Sequence, residues 1–83
     1  MYYLVFSSIT YATWLQKRYL DGYPKLMHTP RGIPVNGCSH SLRCGKCDLK
    51  ELLELAQQFN IPLLGVYKEE DGGFALATEE EME

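Results

Sequence analysis

The first part of the chain changes from a strand-like to a helix-like pattern of apolar positions. Tyr2 to Phe6 is a run of aromatic and aliphatic residues, which is typical of a buried strand. Ser7 or Ser8 follows as a cap for a helix that ends at Asp21-Gly22. The apolar face of this helix recurs at spacings of three and four residues, at Ala12, Leu15 and Tyr19. The pattern therefore predicts a strand followed by a helix.

The middle of the chain predicts two strands separated by a loop. Pro24 to His28 has strand-like content, and Thr29 to Gly37 contains two prolines and two glycines, which favour a loop. Cys38 to Cys44 then alternates between less polar and more polar residues. The predicted inner face of this strand carries Cys38, His40, Leu42 and Cys44.

A second helix is predicted from its cap and its apolar stripe. Asp48 is the predicted N-cap, and Glu51 stands three residues later, as in a capping box. Asn60 ends the helix and Pro62 prevents its continuation. The apolar stripe consists of Leu49, Leu52, Leu53, Ala56 and Phe59.

The end of the chain predicts a hairpin and a tail. Leu63 to Lys68 returns to strand-like content. Asp71-Gly72, between Val66-Tyr67 and Phe74 to Leu76, predicts a hairpin turn. Residues 78–83 hold four glutamates and predict a mobile acidic tail.

The order strand, helix, strand, strand, helix, strand predicts an α+β fold of the ferredoxin-like, split βαβ type. Two right-handed crossovers place both helices on one face of an antiparallel sheet. We expect a single domain over residues 1–77, followed by the acidic tail. The fold by itself assigns no function.

Composition and charge exclude several classes of protein. The chain has 83 residues and a formal net charge of −3, so it lacks the excess of Lys and Arg that a strongly basic nucleic-acid binder uses on phosphates. Its apolar runs are shorter than the roughly 18 residues of a membrane helix. The segment Met1 to Phe6 has no basic region and is too short for a secretory signal. We expect a cytoplasmic protein without membrane or nucleic-acid partners.

The predicted topology separates the three cysteines into two regions. Cys38 begins the third strand, beside Ser7, Ser8 and the start of the first helix, whereas Cys44 ends the strand about 20 Å away. The loop before Cys38 carries Arg31, and a cation and a helix N-terminus both favour a thiolate. Cys38 is therefore a candidate reactive thiol. The alternative is a small buried residue of the strand.

Cys44-Gly45-Lys46-Cys47 forms a CxxC sequence just before the second helix. Such a pair fits a dithiol couple or half of a zinc site. His40 lies roughly 13 Å from Cys44 along the strand, too far to share one ion. His28 is on the neighbouring strand, nearer the end of the sheet opposite Cys44. We therefore expect no metal site within the monomer. Two CxxC pairs could share a metal across a dimer, or both cysteines are incidental.

The loop and the third strand resemble a known family. Thr29-Pro30-Arg31, a short loop and Cys38, together with the first strand Tyr2 to Phe6, resemble the selenium/sulfur carrier protein-like domain of short bacterial chains. The likeness covers Met1 to Lys68. It implies that Cys38 is the carrier thiol and Arg31 its neighbour. Members usually have Gly directly after the Cys where this chain has Ser39, and the Cys44/Cys47 pair lies outside the family pattern.

The sequence thus supports a small thiol-based carrier of sulfur or selenium, an accessory protein more than an enzyme. Its partners would be chalcogen donor and acceptor proteins, with no cofactor, and Cys44 and Cys47 would relay or resolve the adduct. A second hypothesis is a metal-bridged or structural interaction module that forms a homodimer through Cys44 and Cys47. A third hypothesis is a dithiol redox protein that uses the same pair.

Overall fold

The computed structural model describes residues 1–18, 23–35 and 39–82. Their elements are β1 (Tyr2–Phe6), α1 (Ile9–Gln16), β2 (Lys25–His28), β3 (His40–Cys44), α2 (Lys46–Gln58), β4 (Leu63–Glu70), β5 (Gly73–Leu76) and α3 (Glu79–Met82). None of the helices in these ranges is long and apolar enough to span a membrane.

The five strands form one antiparallel sheet in the order β2-β3-β1-β4-β5. The first four strands have the ferredoxin-like order, and β5 extends the sheet as an edge strand. The predicted α+β fold is confirmed. Register defines two ends of the sheet: Phe6 pairs with His40 at what we call the His40 end, and Tyr2 pairs with Cys44 at the Cys44 end.

Several local signals act as predicted. The Ser8 hydroxyl accepts a hydrogen bond from the Thr10 backbone N–H at 3.2 Å and caps α1. Asn60, just after α2, is left-handed with φ 54°. The Asp71-Gly72 turn joins β4 to β5, with φ 45° and 76°, the conformation that a tight hairpin needs. The predicted helical position of Tyr19 and the stop at Asp21-Gly22 lie outside the described residues.

The predicted N-cap of the second helix is wrong. α2 begins at Lys46, with Gly45 as N-cap, and Asp48 lies in the first turn. The Asp48 carboxylate accepts a hydrogen bond from the Tyr23 hydroxyl at 2.6 Å, and that hydroxyl accepts one from the Gly45 N–H at 3.0 Å. A tyrosine distant in the sequence thus supplies hydrogen bonds at the helix start. The predicted Asp48–Glu51 capping box is wrong, because Asp48 is not the N-cap.

The sheet carries a separate apolar layer on each face. The helix face packs against α1 and α2, and its fully buried residues include Leu4, Phe6, Leu15, Leu42 and Leu49. The opposite face, which we call the loop face, packs Tyr3, Val5 and Tyr67 against Ile33 of the segment between β2 and β3. The described part of the predicted loop therefore packs on the second side of the sheet through Ile33.

The residues predicted as an acidic tail contain the short helix α3. Thr78 and Glu81 bond reciprocally at its start, and Glu81 also accepts from the Tyr2 hydroxyl at 2.9 Å and pairs with Lys68 at 3.2 Å. These bonds, the Thr78 N–H first among them, lower the pKa of Glu81 to about 2. Met82 packs against the helix-face core. Glu81 thus connects α3 to β1 and β4 through Tyr2 and Lys68. The mobility of the tail stays a prediction.

Candidate functional site

The chain around the predicted carrier thiol is anchored by hydroxyl groups. Cys38 itself lies outside the described residues, and Ser39, the next residue, is 5% exposed. The Thr29 N–H donates to the Ser39 carbonyl at 3.2 Å. The Thr29 hydroxyl bonds the hydroxyls of Ser39 and Ser41 at 2.9 and 2.7 Å. The start of the β2–β3 connection is therefore fixed to the residue that follows Cys38.

Arg31 lies at a turn of the same connection. The Ile33 N–H donates to the Pro30 carbonyl at 3.1 Å, and the Val35 N–H donates to the Ile33 carbonyl at 2.9 Å. Ile33 is 3% exposed and packs on the loop face, whereas Arg31 is exposed. The buried side chain of Ile33 thus anchors the turn, and the side chain of Arg31 in the same turn is exposed to solvent. The proximity of Arg31 to Cys38 stays a prediction.

Two histidines that the sequence did not bring together form a pair at the His40 end. His28 and His40 are cross-strand partners of β2 and β3, and their ring centroids lie 4.7 Å apart with planes tilted by 36°. His40 is half-buried and His28 is exposed. The register of β2 against β3 decides this contact, and neither the spacing of the two residues nor a local motif in the sequence indicates it.

The two cysteines of the CxxC sequence lie in different environments. Cys44 is fully buried in the helix-face core, and Cys47 is exposed in the first turn of α2. Burial, and to a lesser extent the carboxylate of Asp48, raises the pKa of the Cys44 thiol to about 12. A metal ligand or a dithiol nucleophile must be a thiolate. The structure therefore favours a packing role for Cys44.

The described residues include no group of three or more His, Cys, Asp and Glu side chains that could hold a metal ion. The His28–His40 pair supplies two such side chains. A structural zinc ion takes four ligands. No group within these ranges of the chain thus supplies more than two of the four ligands.

We expect the two thiols to differ in reactivity towards iodoacetamide at neutral pH. In a Cys38→Ser background, Cys47 should react, whereas Cys44 should react only in denaturant, because a pKa raised from 9.0 to about 12 keeps it protonated and its burial excludes the reagent. The thiolate fraction alone lowers the Cys44 rate roughly a thousandfold.

The raised pKa of Cys44 also makes the free energy of unfolding depend on pH. The stabilisation linked to this pKa shift is complete below pH 9.0 and is lost as the pH rises towards 12.

Peptide mapping of the labelled protein measures both rates. The matched control is the unfolded chain, in which the two cysteines should react alike. Equal rates in the folded protein would show that Cys44 is accessible, and would restore the dithiol hypothesis.

A family model described as "Putative Se/S carrier protein-like" matches residues 1–68. The chain belongs to this family. The match runs from β1 through most of β4 and includes both the β2–β3 connection and the CxxC sequence. It confirms the resemblance that Thr29-Pro30-Arg31 and Cys38 indicated. Comparisons with curated proteins and with solved structures found no match.

Proposed function

We propose that the protein is a small carrier of sulfur or selenium that holds the chalcogen on the thiol of Cys38. The observation that carries the proposal is the family match over residues 1–68, which includes Cys38 and Arg31. The burial of Cys44 supports it, because one of the competing thiols is removed from solvent. The anchored β2–β3 connection, with Arg31 exposed at its turn, is the other support.

The carrier step is a thiol exchange without net oxidation. The Cys38 thiolate attacks the outer sulfur of a donor persulfide, a sulfur–sulfur bond forms on Cys38, and the donor's inner sulfur leaves as a thiolate. Transfer to an acceptor thiolate repeats the step with Cys38 as the leaving group. A selenium atom in place of the outer sulfur follows the same balance. The reaction needs an accessible thiolate and a docked partner, and no cofactor.

Charged and polar groups in and beside the β2–β3 connection, which contains Cys38, suit this step. A persulfide is an anion, and a cation or a hydrogen-bond donor beside it lowers its energy. Arg31 and the imidazole pair His28–His40 are the described groups that could supply them. A reducing cytoplasm, where we propose that the protein acts, keeps such thiols free of disulfides.

The two alternative functions receive less support. A metal-bridged dimer and a dithiol redox protein both require Cys44 as a thiolate, and its burial and raised pKa oppose that state. The proposed partners are therefore a chalcogen donor protein and an acceptor protein.

The proposal is tested by incubating the protein with a small-molecule persulfide donor and measuring its intact mass. We expect the wild-type chain to gain the mass of one sulfur atom, and the Cys38→Ser variant to gain none. The Arg31→Gln variant should load more slowly, because it lacks the cation nearest to the thiol along the loop. Peptide mapping then locates the added sulfur.

Cys47→Ser is the matched control, since it removes an exposed thiol and leaves Cys38 in place. It should load as the wild type does. If Cys38→Ser still gains sulfur while Cys47→Ser does not, the carrier thiol is Cys47 and the assignment to Cys38 is wrong.

A further inference from the structure

An apolar groove opens between α1 and the end of α2. Its volume is about 270 Å³, and it is lined by Thr10, Tyr11, Trp14, Phe59 and Ile61. We call it the Trp14 groove. Trp14 and Phe59 meet edge to face with ring centroids 4.8 Å apart. Tyr11 and Phe59 remain 39% and 46% exposed, so two aromatic walls of the groove face solvent.

The groove lies at the His40 end of the sheet. Thr10 and Tyr11 belong to the first turn of α1, which follows the end of β1, and Ile61 precedes the start of β4. Phe6 of β1 pairs with His40 on one side and with Leu63 on the other. The groove therefore opens at the end of the sheet where the chain enters β3.

The cation of Arg18 stands at the rim of the groove. The Arg18 guanidinium carbon lies 3.7 Å from the centroid of Trp14 and 5.8 Å from that of Phe59. Within the described ranges, no carboxylate comes within ion-pair distance of Arg18. α1 contains no acidic residue, although the chain as a whole is acidic. Stacking on the ring fixes the guanidinium and leaves its N–H donors for another molecule.

We propose that the Trp14 groove binds a segment of a partner protein in which an apolar side chain is followed by a carboxylate. The apolar side chain enters between Trp14 and Phe59, and the carboxylate accepts hydrogen bonds from Arg18. Charge complementarity selects this occupant, since a planar guanidinium held on one face matches a carboxylate.

The size of the groove favours a side chain over a cofactor. Small-molecule pockets usually measure about 300–1,000 Å³ and enclose most of their ligand, whereas this groove is smaller and open. An exposed aromatic cluster with an arginine at its edge has the composition of a protein-binding hot spot.

This inference deepens the proposed function, because a carrier must dock its donor or acceptor, and only the identity of the partner rests on that function. Binding in the groove does not involve a thiol. If Cys38→Ser binds the partner segment normally but does not load sulfur, both proposals stand. If the wild-type protein loads sulfur normally but does not bind the segment, only the proposal for the Trp14 groove is wrong.

The test is a titration of the wild-type protein with the capped peptide acetyl-Ser-Gly-Leu-Glu-Glu-Gly-Ser-amide. Trp14 is the chain's sole tryptophan, so its fluorescence reports the groove directly. We expect a saturable change in emission. Arg18→Gln should weaken binding roughly tenfold, the equivalent of one charge-assisted hydrogen bond. Two variant peptides, one with Ser in place of Leu and one with Gln in place of both Glu, should bind the wild-type protein at least as weakly as the original peptide binds Arg18→Gln.

Lys17→Gln is the matched control, since Lys17 is an exposed cation next to Arg18 that does not stack on Trp14. It should change the affinity by less than about twofold. Equal weakening by both variants means nonspecific charge attraction and overturns the proposal. A peptide without effect also overturns it, and if Trp14 emission instead changes with protein concentration, the occupant is a second copy of the chain.

Discussion

Replacing Leu42 by alanine should lower the free energy of unfolding by about 2–5 kcal/mol. Leu42 is fully buried at the centre of the helix face, where β3 pairs it with Leu4 of β1 and Leu26 of β2. The substitution removes apolar contacts and leaves a cavity between three strands and the helices. Domains of this kind are stable by roughly 5–15 kcal/mol in total, so we expect a large shift of the urea midpoint.

The matched control is Leu64→Ala, the same chemical change at a residue of β4 that is 51% exposed. It should lower the free energy of unfolding by less than about 1 kcal/mol. Urea unfolding followed by circular dichroism measures both variants. Equal losses at the two positions would contradict the burial that the structure assigns to Leu42.

Gly32→Ala should lower the free energy of unfolding, because the new methyl group crowds the loop face. A Cβ atom at Gly32 would lie 2.6 Å from Cδ2 of Phe74, closer than carbon atoms approach without displacement. The ring cannot turn aside freely, because it packs edge to face on Tyr3 with centroids 5.2 Å apart. Overpacking of this kind lowers stability by about 1–3 kcal/mol. The measurement is again the urea midpoint.

A double-mutant cycle separates the clash from other effects of the substitution. In a Phe74→Ala background the new methyl group has room, so Gly32→Ala should lower stability by less than about 0.5 kcal/mol. Gly73→Ala is the control, since the nearest atom to a Cβ at Gly73 would be the Glu70 carbonyl oxygen, at an ordinary contact distance of 3.9 Å. If Gly32→Ala lowers the free energy of unfolding as much in the Phe74→Ala background as in the wild type, the clash with Phe74 is not the cause.

The Trp14 groove and the β2–β3 connection place the two proposed functions, docking and transfer, at the same end of the molecule. The connection leads from Thr29 to Ser39, the neighbour of Cys38, and the groove opens beside the start of α1. A partner docked in the groove would approach the end at which His28 and His40 pair. Recognition and transfer could then be altered separately, through Arg18 and through Cys38.

Part of the candidate site was predictable because it depends on neighbours in the chain. The Thr29-Pro30-Arg31 sequence and Cys38 indicated the family, and the family match confirmed it. The His28–His40 contact and the Thr29–Ser39–Ser41 hydroxyl bonds depend on register across β2 and β3. Sequence periodicity does not set that register when the connecting loop is long.

The cysteine pair shows the same division. The CxxC spacing indicated two thiols near a helix start, and the alternation of β3 put Cys44 on the inner face. The amount of burial is a property of the assembled core, where β1, β3 and α2 together exclude water from Cys44. Burial decides the ionisation of the thiol, and so it decides which chemistry the pair can carry.

The sequence by itself determined the order of the elements from β1 to β5, the caps and turns at Ser8, Asn60 and Asp71-Gly72, and the family. Each of these depends on local backbone preference, on the spacing of apolar residues or on a short motif. Only the tertiary structure decided the start of α2, the second apolar layer under Ile33 and the Trp14 groove. These features join residues that are far apart in the chain, and their energies come from packing and from hydrogen bonds that form once the sheet has closed.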